Sequence, residues 1–202
     1  DIGLKYDVPH ISTYVLTVEP KTALIKLIEK NKIEEVSDID QKLQFEYVYD
    51  YLLSLGYVNY EFSSFAKPGY ECKNNVTYWN RGKYIGFGPS AHSFDGVKRK
   101  WNISNNQKYI ERIKLNSIAY ESEILSETDI LNEIIMIGLR TSEGLDLDLI
   151  ESKFSNLNLE KLIQHIQLKI TDGVLVKTDN KLHPSRDYKF LTDGLASDLF
   201  IA

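Results

Sequence analysis

Three stretches of this sequence carry residue types that chemistry needs, at spacings chemistry uses. Gly86-Phe-Gly-Pro-Ser-Ala91 fits G-x-G-x-x-A, the pattern that lets backbone approach a dinucleotide when it joins a strand to a helix. Pro89 and the His92-Ser-Phe-Asp-Gly run after it do not read as a long helix, and no complete Rossmann unit surrounds them. A ligand cradle and a tight bend fit the glycines equally well. Tyr78 and Trp79, beside the amides of Asn74 and Asn75, have the chemistry to grip a flat aromatic ligand by stacking and hydrogen bonding, although the residues alone favour a loop anchored by aromatics. Thr17 and Glu19 end a strand-like run. Ligands of parallel sheets sit beyond the carboxyl ends of strands, which places both at a candidate rim. Ser63 and Ser64 follow a second strand-like run and are expected at the same rim.

The remaining reactive types are less informative. His10 opens a strand and reads as a hydrogen-bonded core residue, and His165 as a surface or boundary residue of a helix. His183 precedes Pro184 with no second ligand nearby, and Met136 reads as core packing. Cys72 has a basic neighbour, Lys73, but no histidine within several residues. A thiol without a base is a poor nucleophile.

The elements that must position these groups follow from pattern. His10 to Thr17 is rich in β-branched and aromatic residues and is predicted as a buried strand. Thr22 to Ile28 is a short helix. Ser37 and Asp40 have capping-box spacing. Leu43, Tyr47, Val48, Tyr51, Leu52 and Leu55 follow at helical intervals, with Gly56 placed as a left-handed cap. Tyr57 to Phe62 alternates as a second strand. Strand, helix and strand predict a parallel βαβ unit with a right-handed crossover. Residues 63–104 show little periodicity beyond a strand at Tyr84 to Phe87, and Asn106 to Ile118 closes this part as a helix. From Ser126 the pattern is cleaner. Ser126 and Asp129 make a second capping box, before an apolar helix of Ile130, Leu131, Ile134, Ile135, Ile137 and Leu139 broken by Gly144. Helices at Leu147 to Phe154 and Leu159 to Ile170 follow, the latter turning Leu162, Ile163 and Ile166 inward. A hairpin turning at Asp179-Asn180 and a final helix with Leu191, Leu195 and Leu199 complete a winged-helix-like arrangement.

Composition narrows the function classes. The chain has 202 residues, 43% hydrophobic and 26% charged, ordinary values for a globular protein with a real core. Its single cysteine precludes an internal disulfide and any iron–sulfur cluster or cysteine-rich zinc site built from this chain alone. No apolar run reaches the roughly 20 residues of a transmembrane helix, and the first ten residues lack the layout of a signal peptide. Charge is uneven: residues 121–202 carry 8 Lys and Arg against 15 Asp and Glu, a net of −7, whereas residues 1–120 carry 16 against 14. An acidic winged-helix-like domain is a poor partner for nucleic acid.

Several blocks, in order along essentially the whole chain, resemble the oxygen-independent coproporphyrinogen oxidase-like radical-SAM family. They are His10-Ile-Ser-Thr-Tyr-Val-Leu-Thr-Val-Glu-Pro-Lys-Thr22, Tyr60-Glu-Phe-Ser-Ser-Phe-Ala-Lys-Pro-Gly69, Asn74-Asn-Val-Thr-Tyr-Trp79, Gly86-Phe-Gly-Pro-Ser-Ala-His-Ser93, Ile137-Gly-Leu-Arg-Thr-Ser-Glu-Gly-Leu-Asp146 and Ala196-Ser-Asp-Leu-Phe200. The likeness is nearest to the haem-chaperone branch. The resemblance implies an α/β fold: the C-terminal portion of a partial (βα) radical-SAM barrel over residues 1–118, then a winged-helix-like α+β domain over 119–202. It implies that full-length relatives hold a [4Fe–4S] cluster, S-adenosylmethionine and haem, that haem or a porphyrin and client haem proteins are the partners, and that the protein is cytoplasmic. Thr17, Glu19, Gly86, Gly88, Ala91 and His92 then fall to the cofactor pocket, and Asn75, Tyr78, Trp79 and His92 to haem. The chain itself offers no catalytic residue and no protein metal site.

Two departures from the family matter. The chain opens at Asp1 and lacks the cluster-binding cysteines, so it reads as a C-terminal part that is not catalytic alone, with an unpaired edge on its first strand. The histidine that opens the family's HN-x-x-YW block is Asn74 here. An amide is a poor iron ligand and an imidazole a good one, which leaves His92 or Cys72 as candidates. The expected function is haem binding and delivery. The alternatives are coproporphyrinogen decarboxylation by the full-length protein, and a non-catalytic module docking a basic partner through Asp146, Asp148 and Glu151.

Overall fold

The computed structural model describes residues 3–117, 120–154 and 159–201. The chain opens with a 3₁₀ turn, Gly3–Tyr6, and strand β1, His10–Ser12. Thr22 caps helix α1, Ala23–Glu29, with its hydroxyl accepting from Ile25 N. Ser37 caps α2, Asp38–Ser54, in the same way from Asp40 N. Gly56, at φ +84°, turns the chain out of α2 and into β2, Val58–Glu61, followed by β3, Ser64–Ala66.

β3 lies between β1 and β2 and pairs antiparallel with both. β1 and β2 therefore point the same way, but they are not neighbours, and the predicted parallel pairing gives way to an antiparallel sheet. The cause is local. Only Phe62 and Ser63 separate β2 from β3, and antiparallel strands can be joined by so short a link whereas parallel ones cannot. The register slips between Asn59 and Glu61. The Asn59 side chain holds that irregularity by donating to the carbonyls of Glu61 at 2.6 Å and Ser64 at 3.2 Å. β1 is also shorter than predicted. Beyond Ser12 the chain is irregular, and Tyr14 is 79% exposed.

Residues 63–104 hold more structure than their lack of periodicity suggests: helix α3, Lys73–Trp79, and the hairpin of β4, His92–Phe94, and β5, Lys98–Asn102. The predicted strand at Tyr84 to Phe87 is reduced to one bridge, Tyr84 to Phe94, with Ile85 and Phe87 exposed. Helix α4, Asn106–Lys114, is capped by the Asn105 side chain. Strand β6, Tyr120–Ile124, then pairs along β5.

Helix α5, Glu127–Arg140, starts in a complete capping box, with Ser126 and Asp129 each accepting from the other's backbone N–H. The Ser126 hydroxyl, and then its N–H, hold the Asp129 carboxyl below the usual carboxylate range. The rest of the chain comprises β7, Leu145–Asp146, α6, Leu147–Lys153, α7, Glu160–Thr171, β8, Leu175–Thr178, β9, Lys181–Pro184, a 3₁₀ turn at Arg186–Leu191, and α8, Thr192–Asp198. β9 lies between β7 and β8. Leu131, Ile135, Leu145, Leu162, Leu182 and Leu199 form the centre of its core. Gly138 allows α5 to lie on β7, because a Cβ there would stand 2.6 Å from the Leu145 Cα. Two predicted core residues face outward instead. Ile163 on α7 and Met136 on α5 are exposed, each one position off the buried stripe of its helix. No helix among the described residues is long and apolar enough to cross a membrane.

The C-terminal elements dock on the β2 side of the first sheet. Glu61 bridges Thr141, Phe62 N donates to the Arg140 carbonyl at 2.8 Å, and Ser142 N to the Tyr60 carbonyl at 3.1 Å. Phe45 on α2 stacks with Phe62 at 5.3 Å and meets Phe190 at 5.6 Å.

Candidate functional site

The aromatic block predicted as a ligand grip is helix α3, and Asn75, Tyr78 and Trp79 point to different tasks. Asn75 Nδ2 donates to the Tyr60 hydroxyl at 3.1 Å, and that hydroxyl lies 2.8 Å from His10 Nε2. This relay ties β1, β2 and α3 together, so His10 is the hydrogen-bonded residue expected. Tyr78 is exposed and meets the Tyr84 ring edge-on at 4.6 Å. Trp79 lies beneath the Arg140 guanidinium, 5.4 Å from its centroid, and the same guanidinium is 5.0 Å from Phe62. Arg140 also pairs with Asp193 of α8. The Trp79 indole N–H is buried and has no hydrogen-bond partner. Cys72 stands at the N-cap of α3 without a side-chain capping bond and is a free thiol.

The glycine-rich block is a tight bend whose donors are used internally. Gly86 N donates to Ser93 Oγ at 3.0 Å and Gly88 N to the Tyr109 hydroxyl at 3.2 Å, while Asn102 Nδ2 donates to the Gly88 carbonyl at 2.9 Å. A side chain at Gly86 would collide with the His92 carbonyl, 2.1 Å from an added Cβ. Gly88 sits at φ +104°, a region that favours glycine. Ala91 N closes the bend on the Gly88 carbonyl at 3.3 Å. His92 is exposed and stacks on Trp101, its cross-strand partner, at 5.9 Å.

Thr17 and Glu19 are exposed on the irregular segment after β1, and the Glu19 carbonyl accepts from the Thr22 hydroxyl at 2.8 Å. Ser63 does lie at the carboxyl end of β2, where its carbonyl accepts from Thr13 N at 2.8 Å. Ser64 is inside β3 rather than on a rim, fully buried, with its hydroxyl 3.0 Å from that of Ser12.

A cleft of about 950 Å³ lies between α3 with the β2 edge on one side and α5, β7 and α6 on the other. Of the residues predicted for cofactor or haem, Trp79 lines it, whereas Thr17, Glu19, Gly86, Gly88, Ala91 and His92 do not. Gly144 lines it too, with the His183 ring packed against its Cα position. Burial, and then the charges of Lys189 and Lys181, hold the His183 imidazole below its ordinary pKa, while Glu143 opposes them.

Sequence patterns miss two polar features. Glu61 is only 3% exposed, and its carboxylate accepts from Ser63 N at 3.2 Å. Glu133 on α5 pairs with both Arg81 and Arg99, and Arg99 reaches Glu123 at 3.2 Å. Burial, and then the charge of Arg99, push the Arg81 guanidinium below its usual value. Partners so far apart in sequence leave no local signal, although the strand position of Glu61 is a clue to burial.

No group of three or more His, Cys, Asp or Glu capable of holding a metal exists among the described residues. With one cysteine in the chain, the residues present do not fit an iron–sulfur cluster.

Residues 125–187 match the HemN C-terminal domain model. The fold is shared over 98% of this chain with a solved structure, the coproporphyrinogen III oxidase HemN from Escherichia coli, described as a radical SAM enzyme, at a TM-score of 0.70, 14% identity and 49% coverage of that chain. The chain is similar to the heme chaperone HemW of Bacillus subtilis, 29% identical over 192 residues, covering 94% of this chain and 50% of that protein. It is also similar to the heme chaperone HemW of Mycobacterium tuberculosis strain H37Rv, 31% identical over 148 residues, covering 73% of this chain and 38% of that protein. The fold is thus that of the HemN group of radical-SAM proteins, α/β in class with a HemN-type C-terminal domain. Residues 125–187 carry a HemN-type C-terminal domain, and the chain as a whole is similar in sequence to the HemW proteins and in fold to HemN. It spans about half the length of the curated relatives it matches.

Proposed function

We propose that this chain is the haem-handling part of a HemW-like radical-SAM protein that binds haem and delivers it to client haem proteins in the cytoplasm. Its two parts are a barrel portion over residues 1–118 and a winged-helix-like domain over 119–202. In the whole protein, Thr17, Glu19, Gly86, Gly88, Ala91 and His92 border the S-adenosylmethionine pocket, and the [4Fe–4S] cluster is held by residues outside this chain. Asn75, Tyr78, Trp79 and His92 make up the haem side. The observation that carries this reading is the α3 block, where Trp79 lines a large cleft with a buried, unpartnered indole N–H. Buried donors in native proteins almost always have partners, and a ligand would supply this one. His92 is the imidazole open to iron, since it is exposed and held on Trp101, and a neutral imidazole is a good ligand.

A haemin titration followed at the Soret band tests the reading. The expected result is a saturable shift at one equivalent, displaced in His92→Ala, whose spectrum reports a changed axial ligand. A wild-type chain giving no saturable shift would overturn it.

A further inference from the structure

We propose that the outward face of α2 is a docking groove for a basic amphipathic helix of a partner protein, with Leu43 and Tyr47 as its apolar floor and Glu34 and Glu35 as its charged rim. The inference stands apart from the haem reading, because none of the residues assigned above to haem or cofactor lines this groove.

α2 carries apolar side chains on two opposite sides. Phe45 and Leu52 are buried, with Val48 packed beside Leu52. Ile39, Leu43 and Tyr47 follow one another at intervals of four on the other side and are 74%, 57% and 69% exposed. A helix that is apolar all round is ordinarily covered all round, and exposed apolar residues with a polar rim mark interaction sites. Leu43 and Tyr47, with Val36 on the segment leading into α2, line a groove of about 580 Å³. The Tyr47 ring stacks on Tyr51 at 6.0 Å, which orders in advance an anchor of the type that concentrates binding energy.

Charge identifies the occupant. The charged residues lining the groove are Glu34, Glu35 and Asp40, with no cation among them. From Ile33 to Tyr47 the chain has five carboxylates, Glu34, Glu35, Asp38, Asp40 and Glu46, and one cation, Lys42, which lies 3.7 Å from Glu46. Lys30 and Lys32 precede this stretch and do not line the groove. Glu34 and Glu35 have no cation partner among the described residues. Such a rim repels anionic lipid and nucleic acid and complements lysines and arginines that flank an apolar stripe. An amphipathic helix laid into a groove by anchors one turn apart is a recurring way to satisfy both. Helix α6 carries carboxylates too, but Asp146 accepts from Leu149 N at 2.9 Å and Asp148 from the Asn180 side chain, so α2 is the acidic surface left free for a basic partner.

A fluorescein-labelled peptide of about 18 residues, with leucines at i, i+3, i+4 and i+7 and lysines flanking them, tests the groove by fluorescence anisotropy. The 202-residue chain is expected to bind one equivalent, and to bind a scrambled peptide of the same composition at least roughly tenfold more weakly. Tyr47→Ala, and separately Glu34→Lys combined with Glu35→Lys, are each expected to weaken binding at least roughly tenfold, the scale of one hot-spot side chain. All three positions are exposed, so circular dichroism of the variants is expected to match the wild type. Glu151→Lys on α6, also exposed, is the charge control and is expected to leave binding unchanged. Equal binding of the scrambled peptide, indifference to Tyr47→Ala or to the charge reversal, an equal loss in Glu151→Lys, or no saturable binding at all overturns the groove. Sedimentation of the chain and the same titration on the whole protein report other occupants. Self-association abolished by Tyr47→Ala assigns the face to a second copy, and a whole protein that does not bind the peptide assigns it to the remainder of that protein; either result overturns the partner helix.

Discussion

Fifteen buried apolar side chains, from Leu131 to Leu199, form one continuous cluster in the C-terminal half, whereas the corresponding cluster of the N-terminal half has three, Leu52, Tyr57 and Phe65. The first is a core in the ordinary sense, in which every helix turns a stripe inward. The second is small for its length of chain, and the N-terminal half obtains the rest of its order at the boundary. There Phe45 is covered by Phe62 and Phe190, Arg186 pairs with Asp50 at 2.7 Å, and Arg140 stands over Phe62 and Trp79. The difference teaches that the C-terminal domain acts as the platform on which the first sheet and α3 are held.

If so, damage deep in the C-terminal core should be felt in the N-terminal half. Leu182→Ala removes a side chain with no exposed surface and is expected to cost about 2–5 kcal/mol. Both tryptophans, Trp79 and Trp101, lie in the N-terminal half. Their fluorescence should therefore report the loss in a urea melt, together with far-ultraviolet circular dichroism. A tryptophan transition left at the wild-type midpoint would break the comparison.

The boundary itself gives the next effect. Arg140→Met paired with Trp79→Leu in a double-mutant cycle should show a coupling of about 0.5–2 kcal/mol, the range for a cation over an aromatic face. Additive losses would mean that Arg140 holds α8 through Asp193 and does nothing for α3.

Helix starts sharpen the contrast on a smaller scale. Asp129→Ala is expected to cost about 1 kcal/mol, since it removes the carboxylate that accepts from both the N–H and the hydroxyl of Ser126 at the head of α5. At the head of α2 the Asp40 carboxylate accepts from the Ser37 hydroxyl alone, at 2.7 Å, without the reciprocal backbone bond. Asp40→Ala should cost less than Asp129→Ala in the same thermal melts, and the reverse order would show that α2 depends on its cap more than on its packing.

The smallest effect is in pH. His183 has its folded-state pKa lowered, so folding favours the neutral ring. That contribution is intact above the unfolded value of about 6.5 and is lost as pH falls toward the lowered folded value. Melts between pH 7.5 and 5 should show a downward slope that His183→Gln reduces. An identical slope in the variant would assign it to other groups.

What was legible in the sequence was what is decided within a few residues. The capping serines, the Gly56 cap, the stripes of α5 and α7 and the hairpin of β8 and β9 all follow from local spacing. Ile163 and Met136 were misplaced because a broad apolar stripe does not say which of its edges meets the core. The order β1-β3-β2 and the hairpin of β4 and β5 were illegible, because strand pairing is settled between segments and a three-residue strand carries almost no period. In the candidate site, the ingredients were visible and the assembly was not. Trp79 reaches the cleft only because α5, some fifty residues on, supplies its other wall. The donors of Gly86 and Gly88 were claimed by Ser93 and Tyr109, which no spacing rule connects to them.

The seam where Glu61 bridges Thr141 has a consequence for how the protein is made. That contact covers the outer edge of β2, and an uncovered edge invites pairing with another chain. Eighty residues separate the two partners. At roughly 5–20 residues per second of synthesis, the edge waits about 4–16 s on the ribosome for its cover to arrive. During that interval the edge of β2 is open to pairing with another chain.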